Sequence, residues 1–493
     1  MQTRSSQFSL RKCVRQLSAF CSLIIPLSVQ AVAPAFVQQA YLKASNTDNG
    51  DKFGYSVAIS GDTLVVGALS EASDGSGQGD NSNKGAGAVY VFVRENNQWS
   101  QQAFLKASNV PICSGFGSSV AISGNTLVVG AMYESSGSTG VNGEQDVWGA
   151  AVSGAAYVFV RNGETWSQQA YLKASNTDEG DLFGISVGIS GNTIVVGAEH
   201  ESSNATGVNG DDTDNSLNQA GAAYVFNHVE GVWSQQAYLK ASNPDGLDRF
   251  GQAVAIDGDI IVVGAYQEDA RGPFGTDNIS RDAGAAYVFV RDGEIWSQQS
   301  LLKASNYNAA GDKFGKSVAI SGESIVIGAP GKDRDSSTAD SGAAYVFVRD
   351  GSDWKKQASL VASNVSRLDE FGGAVSISGD SIIVGATDED SDDTGVSDTG
   401  THNFLAPDSG AAYTYLRNDT GWVHESYIKA SNTGEGDLFG HAVAVSELSV
   451  VVGAYWEFSN ATGVNGDQSN NDAGAAGAAY VYKADVVFAD NFE

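Results

Sequence analysis

The chain is poor in the residues that several common strategies require. Only three of its 493 residues are cysteines, Cys13, Cys21 and Cys113. Two of them fall in the first 31 residues, so beyond that lead Cys113 has no partner for an intramolecular disulfide. Prolines number seven and methionines two. The five histidines, His200, His228, His402, His424 and His441, neither recur nor show the spacing of metal ligands. Lysine and arginine together number 28 against 58 acidic residues, a formal charge of −30. A surface this acidic is repelled by nucleic acid and by anionic membranes, and it suits metal ions or neutral ligands better. Long apolar runs are missing as well. The longest, Leu17 to Val29, is shorter than the ~18 to 20 residues of a membrane helix, so the chain is not expected to be integral to a membrane. No stretch carries a sustained helical period.

The lead reads as a secretory signal peptide, residues 1–31. Arg4, Arg11, Lys12 and Arg15 precede the apolar run, and Val29-Gln-Ala31 has the small residues of a cleavage site. Pro34 disfavours cleavage after Ala33, and Phe20 before Cys21 does not fit a lipoprotein signal. A secreted or cell-surface protein is expected. Removing four basic and no acidic residues takes the charge from −30 to −34. Without disulfides, such a chain depends on its core and on packing between like units.

What is abundant is glycine, 59 residues, and it is periodic. A cassette such as Asp181-Leu-Phe-Gly-Ile-Ser-Val-Gly-Ile-Ser-Gly-Asn-Thr-Ile-Val-Val-Gly-Ala198, followed by a polar loop and Gly221-Ala-Ala-Tyr-Val-Phe226, occurs seven times. Its Phe-Gly pair stands at Phe53, Phe116, Phe183, Phe250, Phe314, Phe371 and Phe439. Each full unit adds a segment like Trp166-Ser-Gln-Gln-Ala-Tyr-Leu-Lys-Ala-Ser-Asn176. Self-similarity at this period sets the architecture. Ser56 to Ser60 alternates apolar and polar residues at the period of a strand, and Gly61-Asp62 is a two-residue hairpin signal before Thr63 to Val66. Two further strands complete each unit. Four antiparallel strands repeated seven times predict an all-β, seven-bladed β-propeller over residues 32–484, with a short tail at 485–493.

The ends predict closure. The last unit stops after Gly477-Ala-Ala-Tyr-Val-Tyr482 and lacks a fourth strand, whereas Phe36-Val-Gln-Gln-Ala-Tyr-Leu-Lys-Ala-Ser-Asn46 supplies one before the first cassette. The N-terminal strand is therefore expected to pair into the last blade. An open array would leave unpaired edges at both ends.

The Phe-Gly pair, the Val-Val-Gly-Ala segment and Gly-Ala-Ala-Tyr-Val-Phe resemble FG-GAP repeats, the propeller units of integrin α subunits and of many secreted bacterial proteins. The resemblance covers about residues 36 to 483 and is nearest to the short bacterial version. It implies export and a face of long loops used for partners, and no defined activity. Only Gly328-Ala-Pro330 keeps the proline of the name. The calcium loop of the integrin-like repeat is replaced by the tight Gly-Asp or Gly-Asn hairpin, so calcium binding at that position does not carry over.

Alternate connections of an antiparallel blade lie on opposite faces. The tight turns occupy one face. The other carries the loops between second and third strands, from 12 residues (Pro330 to Ser341) to 23 (Thr387 to Ser409), where binding is expected. Asp51, Asp181, Asp248, Asp312, Asp369 and Asp437 each precede the Phe-Gly by two residues, with Ser114 in the second blade. Their recurrence favours a turn device over repeated metal sites. Trp99, Trp166, Trp233, Trp296, Trp354 and Trp422 are read as inter-blade packing. Candidates for a ligand are the blade-specific aromatics Tyr133, Trp148, Tyr266, Phe404, Tyr455 and Trp456, which stack on sugar rings, anchor a protein partner, or pack their own loops. The near-identical loops at Asn204 to Asp214 and Asn460 to Asp467, echoed by Gly140-Val-Asn-Gly143, offer Asp211, Asp212, Asp214 and Asp467 as candidate calcium ligands or as solvated turns.

No catalytic motif emerges. Gly184-Ile-Ser-Val-Gly188 matches a nucleophile elbow as a string, but that motif needs a strand-to-helix turn and here it lies along a strand. The expectation is a binding or adhesion protein for an extracellular glycan or protein, with calcium as a possible cofactor. The alternatives are an enzyme acting on an extracellular polymer and a spacer without ligand.

Overall fold

A computed structural model describes residues 36–484 other than 76, 110, 146, 270–279, 305–309 and 336–337. The signal peptide expected at 1–31 and the tail at 485–493 lie outside the described residues. Every described element is a strand. The strands form seven antiparallel sheets, the blades of a propeller ring. In blade 3 the order from axis to rim is Ser186–Ser190, Thr193–Ala198, Ala222–Val229 and Val232–Leu239. The Gly191-Asn192 turn sets the register Ser190↔Thr193, and Val196 then faces Tyr224.

Closure occurs as the termini predict. Phe36–Leu42 pairs antiparallel with Ala478–Ala484, from Phe36↔Ala484 to Leu42↔Ala479, as the outer strand of blade 7. Inner strands meet around the axis. Gly154 bridges to Phe183 of the next blade, as does Gly221 to Phe250, and the ring ends on Phe53 N donating to Ala476 O (2.9 Å).

The Phe-Gly pair is explained by this junction. Phe183 is fully buried and meets Tyr224 and Phe226 edge-on, at 5.4 and 6.1 Å between centroids. Gly184 has φ +89°, and a Cβ there would stand 2.3 Å from the Ala155 carbonyl of the preceding blade. Only glycine fits that approach. The core accordingly lies between blades. Phe53, Leu64, Val66, Tyr90 and Phe92 of blade 1 cluster with Val451, Ala479 and Val481 of blade 7.

The recurrent tryptophans join blades at the rim. Trp166 Nε1 donates to Gln102 Oε1 of the preceding outer strand (3.0 Å), and Trp99, Trp233, Trp296, Trp354 and Trp422 repeat the bond. Four of the rings also carry an arginine of the neighbouring strand over their face.

One feature is absent from the four-strand expectation. In blade 6, Val396–Ser397 adds a fifth strand outside Gly421–Ile428. In blades 2, 3 and 7 the Val-Asn-Gly segments make single bridges to the same edge: Val141↔Leu172, Val208↔Leu239 and Leu42↔Val464. Asn209 secures the contact twice, its N–H donating to Tyr238 O (2.8 Å) and its Oδ1 accepting from Tyr238 N (2.9 Å). These similar loops latch onto the outer strand and cover part of an edge that would otherwise offer unpaired groups to another chain.

Candidate functional site

The strand order places turns such as Gly61-Asp62 and Asn96-Asn97 on one face, and the connections from second to third and from fourth to first strands on the other. Just beneath this loop-bearing face lies a repeated polar frame. The lysine of each Leu-Lys-Ala-Ser-Asn segment pairs with a glutamate three residues past the Val-Gly-Ala. The pairs are Lys106–Glu71, Lys173–Glu134, Lys240–Glu201, Lys303–Glu268, Lys429–Glu389 and Lys43–Glu457. Lys240 Nζ reaches Glu201 at 2.7 Å with both side chains buried. The asparagine of the same segment crosses to the next blade: Asn176 donates to Glu201 (3.1 Å) and accepts from Tyr224 OH (2.6 Å). Blade 5 departs from the frame at both partners. Lys332 stands where the glutamate belongs and Val361 where the lysine belongs, and Lys332 Nζ lies 3.5 Å from Asp312. Removing one member of a buried pair strands the other charge, and this blade has changed both.

The recurrent aspartates act as turn devices. Asp51, Asp181, Asp248, Asp369 and Asp437 each accept the N–H of the residue three before, at 2.7 to 2.9 Å. In blade 2, Ser114 Oγ instead donates to Ala86 O (2.9 Å).

The candidate calcium ligands already accept hydrogen bonds within their loops. Asp211 Oδ1 takes the N–H and hydroxyl of Thr213, and Asp467 Oδ1 those of Ser469. Asp214 takes Asn204 N and Ser216, and Asp212 takes the Ser175 hydroxyl. Among the described residues, no three or more His, Cys, Asp or Glu side chains group as metal ligands would.

The candidate aromatics divide between two places, with Phe404 in neither. Trp148, 75% exposed, forms one wall of a pocket of about 270 Å³ in blade 2. Pro111 and Ile112 form another wall, while Asn109, Glu134 and Gln145 supply polar groups. The backbone of Trp148 is bridged to Ser136, so the exposed ring stands on a held strand. Asn109 donates to Glu134 (3.2 Å) and accepts from Tyr157 OH (2.7 Å), which fixes the polar floor. Sequence reasoning named Trp148 and passed over Pro111 and Ile112. The signal was present, because theirs is the one fourth-to-first connection that lacks the aspartate. Phe404 is exposed in the blade 6 loop and makes no ring contact among the described residues.

Tyr266 and Tyr455 lie instead at the loop-side mouth of the axis, with Trp456 beside Tyr455 (6.3 Å) and Tyr133 close enough to feel the Glu199 charge. Two cassette positions open there, the residue after Phe-Gly and the residue after Val-Gly-Ala. Their flanks hardly vary, yet the positions hold Tyr55, Ser118, Ile185, Gln252, Lys316, Gly373 and His441, and Leu69, Met132, Glu199, Tyr266, Pro330, Thr387 and Tyr455. The His441 ring lies 5.0 Å from Tyr55 and 4.4 Å from Tyr455. Burial holds it neutral, pushed down to about 4, with the charge of Lys316 adding to the effect. Burial raises the Glu199 carboxyl, and Lys316 and Arg249 offset this in part. With its amide nitrogen facing that carboxylate, Gln252 donates to both oxygens (3.2 Å to Oε1). His200 lies 3.8 Å from Glu199, but burial pushes it down to about 4, so the contact is not an ion pair at neutral pH. Lys316 Nζ sits 4.5 Å from the centre of the Tyr266 ring. Glu199, Gln252, Lys316 and His441 were not singled out from sequence.

FG-GAP repeats match at residues 36–92, 99–159, 166–226, 233–289, 296–347, 354–415 and 422–482. The chain belongs to the FG-GAP repeat family. Each matched unit begins on an outer strand and ends on the third strand of the next blade, so the family repeat straddles blades as the closing N-terminal strand requires. No curated protein matches the chain. Among solved structures it is similar to a putative 6-phosphogluconolactonase from Bacteroides uniformis, at 12% identity and a TM-score of 0.46, over 79% of this chain and 89% of that one.

Proposed function

We propose that this FG-GAP propeller is an exported binding protein that recognises an extracellular glycan through its loop-bearing face, with the blade 2 pocket as its principal contact. One observation carries the reading: an exposed tryptophan held by its backbone, opposed by Pro111 and Ile112 and set above fixed amide and carboxylate groups. Sugars present an apolar ring face and a polar edge, and this pocket offers a surface for each. Its volume of about 270 Å³ suits one or two sugar units. The signal-like character of residues 1–31 supports the reading of export. The acidic surface suits a neutral polymer.

A glycan-array screen of the protein, with and without calcium, tests this. Trp148→Ala should weaken the best ligand by about thirtyfold, the equivalent of ~2 kcal/mol for an anchoring aromatic, with an unchanged melting temperature. Substitutions at Gly163 or Gly351, on the turn face, should leave affinity alone. Binding to a surface protein but to no glycan would move the reading to protein adhesion. Turnover of a bound polymer would replace it with an enzyme.

A further inference from the structure

Lys316 is the exception among the inward-facing lysines. Lys43, Lys106, Lys173, Lys240, Lys303 and Lys429 each meet a glutamate, and Lys332 meets Asp312. The Lys316 side chain makes no ion pair or hydrogen bond among the described residues, and its ammonium rests only on the face of Tyr266 (4.5 Å). Lys316 is half-buried, and an ammonium partly withdrawn from water without a counter-charge is costly unless something supplies one. Across the same mouth, Glu199 is 8% exposed and meets no cation. The two charges influence each other yet do not touch. Tyr55, Tyr266, Tyr455 and the neutral His441 border the interval, giving it ring faces and hydroxyl groups. All of these side chains stand at the two cassette positions that vary from blade to blade, so the repeat itself does not require them.

We infer that the axial mouth is a second binding site, separate from the blade 2 pocket, for a small molecule that carries a carboxylate and a nearby hydrogen-bond donor. The carboxylate sits on Lys316, with Arg249 adding positive potential, and the donor faces Glu199 as Gln252 orients it. The donor is either the ammonium of an amino acid or the hydroxyl of a sugar acid. The negative charge of the whole protein opposes anions at long range, so selection rests on the short-range match at Lys316. Desolvation lowers the affinity of Lys316 for its proton, and a bound carboxylate would restore it.

Calorimetric titration with alanine, glucuronate and glucose tests the assignment and separates the two sources. In the Trp148→Ala protein, whose blade 2 pocket has lost its ring, the expected result is heat of binding with alanine or with glucuronate, and none with glucose. Lys316→Met should reduce that binding at least tenfold while leaving the melting temperature equal to or above that of the parent, since it removes an unpaired charge. Glu199→Gln should weaken the same ligand. Trp148→Ala should not, which keeps this site distinct from the pocket of the proposed function. In the Trp148→Ala protein, glucose binding as tightly as glucuronate would overturn the role of Lys316. So would no binding of either acid, or a Lys316→Met protein that melts lower and still binds.

Discussion

The buried lysine–glutamate frame and the half-open axial mouth use the same side-chain types to opposite ends. In the frame every described charge is matched, and the match recurs around the ring: Lys240 meets Glu201 as Lys173 meets Glu134. In the mouth Lys316 and Glu199 each occur once and remain apart. A paired charge repeated around a ring is what the fold needs, because each blade must satisfy the same polar groups at the same junction. A charge that occurs once and is left unpaired is not explained by the fold. In a repeat protein, the break in symmetry is therefore the better pointer to function.

The largest effect should come from breaking the symmetry at its seam. Residues 36–42 complete blade 7, and Lys43 brings the partner of Glu457. A variant lacking residues 1–45 loses the outer strand and strands a buried carboxylate. It should lose cooperative unfolding or aggregate, whereas removing residues 485–493 should change little. Equal melting curves for the shortened and parent proteins would refute closure.

A single pair comes next. Lys240→Met leaves Glu201 buried without its cation and should cost about 3 to 5 kcal/mol, read by denaturant unfolding. Blade 5 shows the natural remedy. The double change Glu201→Lys with Lys240→Val copies Lys332 and Val361, and places the new lysine near Asp181 as Lys332 lies near Asp312. It should recover most of the loss. A double variant no more stable than Lys240→Met alone would mean that the blade 5 arrangement depends on other residues of that blade.

The frame also marks how far the sequence could be read. Seven ordered cassettes made the blades, their hairpins and the closing strand legible, because each inference was repeated and the ends balanced. The tryptophan and aspartate roles were legible for the same reason. Lys106 and Glu71 were not seen as a pair, since they stand 35 positions apart on segments that look like fixed text. Only the joint change at Lys332 and Val361 exposes the coupling. The Val-Asn-Gly loops looked like ion sites or free turns because their polar residues were visible, whereas their bridges to the outer strand depend on a fold-back that periodicity does not encode. The axial residues were hidden by context. Lys316 and His441 are ordinary polar residues in a string until the fold places them on one axis.

The smallest effect is that of a single turn aspartate on the pH dependence of stability, whose sign these recurrent residues define. Burial pushes Asp51, Asp181 and Asp369 up to about 7 and Asp248 and Asp437 up to about 8, against an ordinary value of 3.8, although each accepts a backbone N–H that favours the charged form. Neighbouring carboxylates such as Glu71 and Glu268 add to the rise. The unfolded chain releases these protons near 3.8, while the folded chain holds them until 7 to 8. Across that window the folded state carries more protons, so stability falls as pH rises. Self-repulsion in a chain of charge −30 acts in the same direction. The protein should unfold at higher denaturant concentration at pH 5.5 than at pH 8.5. Asp248→Asn keeps an acceptor for the turn N–H and removes one titrating group, so the slope of stability against pH should flatten by up to about 1.4 kcal/mol per pH unit near pH 6. A stability that instead rises from pH 5.5 to 8.5, unchanged by this substitution, would show that the folded protein holds these carboxylates charged and that the lysines of the frame, rather than burial, govern them.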